Sequence, residues 1–483
     1  MNWQAVVTGL VVAADAATIV RALLRPHREP ASRLAWICAI LALPIAGVLL
    51  YLVVGETRIS ARKIAKGRAI VASLERPAGN YQRGASAARS AHWAPFALAR
   101  TINQLDPSAG NAARLARDSN AAIDEMIADI DAARETIHGC FYIWLGDTNG
   151  VKLKTAMVRA AQRGVKVRVL ADALGSRRLI SSEHWRAMRD GGCDVRAALP
   201  VGNPLWTVIR GRLDLRNHRK LLIVDNRIAW CGSQNCADPE FLIKPRFAPW
   251  VDIMSRWTGP VVRHCQFLFA ADWIGEGGGD DVRALLRETL DTGEGEGENG
   301  GAIVAQVFGT GPAGEFDAVP ACFAEAIHSA RTELVVTTPY FVPDEQLLFA
   351  LTSAARRGVR TVLIFPKRND NWIVAGASRS YYKTLIDAGA EIYEFRPGLL
   401  HAKTMAVDGC VGLIGSANLD RRSFELNSEI NILFEDPAFT AALRARQDEY
   451  LAQCDRVTSA DVERYGMAFQ LWQNLLATLS PML

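Results

Sequence analysis

Residues 218–235 read HRKLLIVDNRIAWCGSQN, and residues 401–418 read HAKTMAVDGCVGLIGSAN. The two stretches agree at six positions with identical intervals: a His, a Lys two on, an Asp five further, a Gly-Ser pair, and an Asn two beyond the Ser. The residues between them share little except apolar character. A pattern that fixes six residue types and frees the rest belongs to a chemical site.

The motif can be read as half a pocket. His401 and Lys403 are two apart in a strand-like run, so their side chains share a face, and so do His218 and Lys220. Asp408-Gly409 is a two-residue hairpin signal, and Asp225-Asn226 a weaker one. With those pairs as turns, cross-strand partners sum to 817 (408 + 409) and 451 (225 + 226). His401 then faces Ser416, and His218 faces Ser233. Each hairpin gathers His, Lys, Ser and Asn (Asn235, Asn418) at its open end, and the Asp residues either organise the turns or join the site.

Two such halves facing each other surround one cavity with imidazoles, ammonium groups and neutral donors. That set calls for an anion, and phosphate is the obvious one. Histidine, with a reference pKa of about 6.5, suits both nucleophilic and acid–base work near neutral pH. One ring can attack phosphorus while the other protonates the leaving oxygen. The lysines can stabilise the non-bridging oxygens. The dispersed Cys and His show no metal-ligand spacing, so no metal or other cofactor is expected.

The flanking sequence repeats as well. Residues 163–170 (RGVKVRVL) match 357–364 (RGVRTVLI), and 190–200 (DGGCDVRAALP) match 387–397 (DAGAEIYEFRP). Each half alternates helix and strand three times before its motif, which implies an α/β sandwich. Ile123, Met126, Ile127, Ile130 and Ile137 mark one helix by their spacing. The reading divides the chain into an N-terminal membrane segment with a basic flank (1–70), a connection (71–114), a first half (115–274), an acidic Gly-rich linker (275–301), a second half (302–452) and a C-terminal amphipathic helix (453–483). The halves differ before the motif: His401 comes four positions after Pro397, but His218 comes eighteen after Pro200. The extra stretch places Leu205, Trp206, Val208 and Ile209 beside Arg210 and Arg212. It is either a packed loop or a wedge for a lipid interface.

Charged residues are 22% of the chain and the formal net charge is +4, which gives no electrostatic case for nucleic acid. The nine Cys are scattered, so no disulfide framework is suggested. Leu34–Val54 is 21 residues without a charge, enough to span roughly 30 Å of hydrocarbon. Ala5–Val20 is also apolar but contains Asp15. Pro44 can kink the second run or fold it into a re-entrant hairpin. The basic cluster Arg58, Arg62, Lys63, Lys66 and Arg68 outweighs Arg21, Arg25, Arg28 and Arg33, which puts the catalytic body on the cytoplasmic side.

HxKxxxxD followed by GSxN resembles the signature of the phospholipase D superfamily, over roughly residues 115–450. The resemblance implies two duplicated α/β sandwich halves around one active site and a covalent phosphohistidine without metal. It implies His218 as nucleophile and His401 as general acid and later base. It also implies that an acidic residue downstream of each motif orients that motif's histidine, and Asp252 in PWVD and Glu429 in ELNSE match in position. TTPYFVPDE (337–345), SANLDRRSFELNSEI (416–430) and the N-terminal apolar pair ending in LLYLVVGETR are similar to bacterial cardiolipin synthases. So is the terminal FQLWQNLLATLSPML, either an amphipathic surface helix or a docked one. Val251 and Cys140 stand where many relatives carry Arg and an acid. The implied reaction moves a phosphatidyl group between two phosphatidylglycerol molecules at the inner membrane, with a hydrolase, a different alcohol acceptor, a nuclease-type phosphodiesterase and an inactive scaffold as rivals.

Overall fold

The computed structural model describes residues 3–25, 30–55, 61–74, 92–200, 215–279, 281, 301–309, 311 and 318–478. The stretch 201–214, most of the Gly-rich linker, and Arg28 and Arg58 lie outside the described residues. The chain divides into two compact units, one holding residues 1–61 and the other residues 62–200 and 215–477.

The N-terminal unit decides between the alternatives that the two apolar runs left open. Helix α1, Trp3–Leu24, runs unbroken for 22 residues, about 33 Å, and is long and apolar enough to cross a bilayer despite Asp15. The second apolar run, long enough to span but carrying Pro44, is broken as the hairpin alternative required. It forms α2, Pro30–Ala42, and α3, Ala46–Val54, separated at Pro44. Proline has no N–H to donate and its ring clashes with the preceding turn. Ile45 beyond it has φ of 67°, which reverses the chain. Trp36 meets Tyr51 edge to face at 5.3 Å, and Gly47 lies so close to Ala39 that a Cβ would come within 2.5 Å of its carbonyl oxygen. At 13 and 9 residues, neither arm reaches across hydrocarbon. The run is a helical hairpin.

The larger unit is a mixed α/β fold on one sheet of 15 strands. The first half contributes β1 (Ser108–Leu115), β2 (Thr136–Phe141), β3 (Lys166–Asp172), β4 (Asp194–Ala198), β5 (Lys220–Val224), β6 (Ile228–Gly232) and β7 (Met254–Thr258). The second contributes β8 (Ile303–Phe308), β9 (Glu333–Thr337), β10 (Arg360–Pro366), β11 (Glu391–Phe395), β12 (Thr404–Val407), β13 (Val411–Gly415) and β14 (Asn431–Glu435), with β15 (Cys454–Val457) added at the edge. The order is β15-β11-β10-β9-β12-β13-β14-β8-β1-β7-β6-β5-β2-β3-β4, and β1 pairs antiparallel with β8 where the halves meet. In each half three strands are parallel (β2-β3-β4, β9-β10-β11) and the motif hairpin adds antiparallel to the first of them. The central parallel strands β3 and β10 are buried beyond their first residue, as strands covered on both faces are.

Helices α4 (Ser119–Ala132), α5 (Thr148–Gln162), α6 (Glu183–Asp190) and α7 (Val261–Gly275) belong to the first half. Their counterparts are α8 (Ala318–Ser329), α9 (Glu345–Arg356), α10 (Trp372–Ser380), α11 (Tyr382–Asp387) and α12 (Pro437–Leu451). Helix α4 is capped by Asp118, which accepts from the Ala121 N–H, and buries Ile123, Met126 and Ile130. Ile137, assigned from spacing to the same helix, is in β2 instead. Arg134-Glu135 ends the helical run, and a helical period cannot see across a short turn. Helix α7 is buried on nearly all sides and carries Phe267, Phe269 and Trp273 into the core between the halves.

Both motif hairpins differ from the expected register by one residue. Partners sum to 452 and 818, as in Leu221↔Cys231 and Thr404↔Ile414. Three residues therefore lie between the last pairs, Val224↔Ile228 and Val407↔Val411. The left-handed conformations at Asp225 and Asn226, and at Asp408 and Gly409, belong to that longer connection. Pairing ends before the histidines, so neither His faces its motif Ser across a ladder.

Candidate active site

The histidines sit just outside the hairpins on crossing ribbons. Arg216–Asn217 runs parallel to Asn427–Ser428, and the His218 N–H donates to the Ser428 carbonyl at 2.9 Å. Leu399–Leu400 runs parallel to Trp250–Val251, and the His401 N–H donates to the Val251 carbonyl at 2.8 Å. Each ribbon joins one half to the other. The segment before one half's His is thus zipped to the segment before the other half's acid.

This crossing decides the carboxylate partners. His218 Nδ1 lies 2.9 Å from both oxygens of Glu429, and His401 Nδ1 lies 2.6 Å from Asp252 Oδ1. Each acid therefore serves the histidine of the opposite half, not of its own motif as the sequence suggested. Spacing along the chain cannot register that exchange. In both cases Nδ1–H donates to the carboxylate, which leaves Nε2 as the ring atom not engaged by it.

The other motif residues divide into two groups. Ser233 Oγ donates to Asp252 Oδ1 at 2.6 Å and accepts the Ile253 N–H at 3.0 Å. Ser416 Oγ donates to Glu429 and accepts the Ile430 N–H at 2.9 Å. The serines hold the acids that hold the rings. Lys220 Nζ donates to the His218 carbonyl at 2.5 Å and Lys403 Nζ to the His401 carbonyl at 2.6 Å, which keeps both ammonium groups beside the imidazoles. The glycines before the serines make the close approach possible: a Cβ on Gly232 would sit 2.2 Å from the Ile253 carbonyl oxygen, and one on Gly415 2.6 Å from that of Ile430.

Asp225 and Asp408, which the sequence left either to organise the turns or to join the site as catalytic residues, are at the far end of the hairpins. Asp225 accepts the backbone N–H groups of Arg134, Glu135 and Thr136, each at 2.8 Å. Asp408 does the same for Arg331, Thr332 and Glu333. They pin each hairpin turn to the start of the neighbouring strand. Asn235 Oδ1 accepts the Ile143 N–H at 3.2 Å, and Asn418 Nδ2 donates to Ser423 Oγ at 3.2 Å, so both asparagines tie the motif's end to the adjoining loop.

Electrostatics couples the two sets. Burial lowers His218 well below its usual range, helped by Lys220, Lys403, His401 and Arg422. Burial and Lys403 also lower His401, but Asp252 opposes them. Burial draws Lys220 down to about 8 and Lys403 to about 7, against the pull of Glu429 and Asp252. Glu429 is raised by burial to about 7, whereas for Asp252 burial is outweighed by His401 and Lys403, and it stays below the usual carboxylate range. The two acids are not equivalent. One histidine faces a firmly ionised partner.

The sequence reading missed several neighbours. Tyr142 meets His218 edge to face at 4.7 Å with Lys220 over its ring at 5.3 Å, and Trp250 lies 4.8 Å from His401. Trp250 was visible only as the first letter of WVD. The ribbons also reveal an inequality between the halves. Arg216 and Asn217 precede one His where Leu399 and Leu400 precede the other, and Asn427 and Ser428 precede one acid where Trp250 and Val251 precede the other. Leu399 and Trp250 pack with Leu145, Ala237 and Phe241, so His401 has an apolar flank and His218 a polar one. Cys140, buried in β2, donates to Asn217 Oδ1.

Comparison with known proteins follows the same outline. Residues 126–245 and 323–450 match the family described as "Cardiolipin synthase, PLD-like domain". The chain belongs to this phospholipase D-like cardiolipin synthase family. Residues 13–56 match the phospholipase D-nuclease N-terminal family, which covers most of α1 and the helical hairpin. Cardiolipin synthase A of Serratia proteamaculans is 34% identical over 466 residues, 95% of both chains. That of Salmonella arizonae is also 34% identical over 466 residues, 95% of this chain and 93% of its own. Among solved structures, phosphatidylserine synthase of Haemophilus influenzae Rd KW20 superposes with a TM-score of 0.55 at 15% identity, over 76% of this chain and 92% of that one, which supports the fold. Membership of the family makes the chain a phospholipid phosphatidyltransferase.

Proposed function

We propose that the enzyme transfers a phosphatidyl group from one phosphatidylglycerol to the free hydroxyl of another, giving cardiolipin and glycerol. His218 Nε2 attacks phosphorus. His401 Nε2–H protonates the departing glycerol oxygen, leaving a phosphatidyl-histidine. The second phosphatidylglycerol then enters, His401 takes its hydroxyl proton, and the new alkoxide displaces His218. Lys220 and Lys403 exchange their bonds to the histidine carbonyls for the non-bridging phosphate oxygens, where charge builds in the transition state.

The single observation that carries the reading is the pair of imidazoles, each oriented through Nδ1 by an acid of the opposite half. The inequality of the acids supports the division of labour. A nucleophile must be neutral, and burial favours neutral His218. A general acid must carry a proton, and although burial and Lys403 lower His401, ionised Asp252 works against that lowering. The basic flank after the apolar segments supports a catalytic body on the cytoplasmic side of the bacterial inner membrane.

The test is to supply phosphatidylglycerol in detergent with chelator and to analyse products by mass spectrometry. Cardiolipin with equimolar glycerol is expected. Phosphatidic acid alone would make the enzyme a hydrolase with water as acceptor. A His218→Asn protein should form neither product and trap no phosphorylated enzyme.

A further inference from the structure

The last described helix carries an exposed apolar stripe. Helix α13, Met467–Thr478, has no charged residue. It buries Gln473 while leaving Leu471 65% and Leu475 54% exposed, and Met467 lies on the same stripe at the helical spacing of four. A helix on a water-facing surface turns its polar side outward. Here Leu476 packs inward and Gln470 and Asn474 face out, but the exposed Met467, Leu471 and Leu475 stripe calls for an apolar medium beside it.

The helix is firmly seated. Leu476 packs on α10 so closely that a Cβ at Gly376 would come within 2.3 Å of its Cδ1. Trp472 stacks on Trp372 at 5.7 Å with the planes 4° apart. Trp372 is itself 62% exposed, so the apolar surface continues onto α10. Two residues earlier Asp370 is paired with Lys244 at 2.6 Å, which ties in a loop of the first half. That loop presents Leu242, 70% exposed, and Ile243 at its tip. Phe241 stacks on Trp250 at 3.9 Å, and Trp250 lies 4.8 Å from His401. An unbroken series of contacts links this outer surface to a reacting ring.

We infer that α13, the Trp372–Trp472 pair and the Leu242-Ile243 tip form a bilayer-docking surface that seats the catalytic body on anionic lipid. Exposed Arg246 and Arg368 lie on the same two segments, and Lys244 neutralises Asp370 there, so the apolar tip is bordered by cations that suit lipid phosphates. Paired tryptophans favour the level of the headgroups. A second copy of the chain would also cover the apolar face, but it would give no reason for the surface to lead to His401. A lipid bilayer does, because the substrate arrives from it; in that respect the inference rests on the proposed function.

The test uses the full chain in nanodiscs of phosphatidylcholine and phosphatidylglycerol. An environment-sensitive fluorescent amino acid replaces Leu475, Leu242 or, as a control on α5, exposed Thr155. Brominated acyl chains should quench the first two about threefold more than the control. Equal quenching at positions 475 and 155 would overturn the inference, whatever covers the helix instead. This readout needs no turnover, so it stands even if the proposed reaction is wrong. In a second arm, Leu471→Glu with Leu475→Glu should lower transfer from bilayer phosphatidylglycerol about tenfold and leave a monomeric short-chain analogue unaffected. Equal loss on both substrates would also overturn it.

Discussion

Replacing Glu429 by Gln and, separately, Asp252 by Asn tests the exchange of acids between the halves. Glu429 accepts from His218, Ser416 and Asn427 with two oxygens. An amide supplies one acceptor and no charge. The loss of a charge-assisted bond to the imidazole alone removes roughly 1–2 kcal/mol, about tenfold in rate. If the ring also takes the wrong tautomer, the loss reaches about 10⁴-fold in kcat, the size seen when the orienting Asp of a serine protease becomes Asn. The assay is stopped-flow release of nitrophenolate from phosphatidyl-p-nitrophenol, whose leaving group needs no proton. With Asp252→Asn only His401 is disturbed, so His218 still attacks, and a burst of one nitrophenolate per site precedes a slow steady state. With Glu429→Gln His218, the proposed nucleophile, is disoriented, and no burst is expected to form. If Glu429→Gln gave the burst and Asp252→Asn did not, the structure's pairing would be refuted or the two histidines would have exchanged roles.

Three further outcomes are expected. The kcat/KM profile should fall above about pH 7–8: Lys403 and Lys220, depressed to about 7 and about 8, are cationic below those values and lose their charge above them. A profile flat to pH 9 would show that the lysines do not stabilise the transition state. Asp408→Ala should lower stability by about 2–3 kcal/mol in chemical denaturation, since three backbone N–H groups lose a charged acceptor, with kcat within about threefold of wild type. The folded-state pKa of Asp408 is depressed, so its contribution is complete above the usual carboxylate pKa and fades as the pH falls through the folded value; a hundredfold loss of kcat would place Asp408 in the site after all. Gly415→Ala should drive the strand away from the Ile430 carbonyl and cost about 2–4 kcal/mol together with most activity, measured by thermal melting and product formation; a wild-type Tm would contradict the close packing.

The motif residues and the duplicated α/β halves were legible because both are local or repeated: a two-residue spacing fixes a face, and a second copy excludes accident. Long-range choices were not. Nothing in HRKLLIVD specifies that His218 will meet Glu429 across the molecule, because that contact depends on which ribbons zip together. The register slipped by one because Arg227 and Cys410 belong to the turns, and turn length is set by backbone conformation at Asp225 and Asp408 more than by residue type. The apolar segments were left open for a different reason. Hydropathy counts residues, whereas one proline interrupted the longer run and one aspartate was tolerated in the other.

The traded carboxylates have an evolutionary corollary. A lone lobe would hold a ring without its tautomer lock, so it could work only by clasping a twin. Once fused into one polypeptide, the twins no longer had to be identical, and each could specialise while remaining hostage to the other's acid. The arginine and asparagines beside one imidazole, against the leucines and tryptophan beside the other, are what that freedom has produced: a dyad in its hardware and a polarised cleft in its lining.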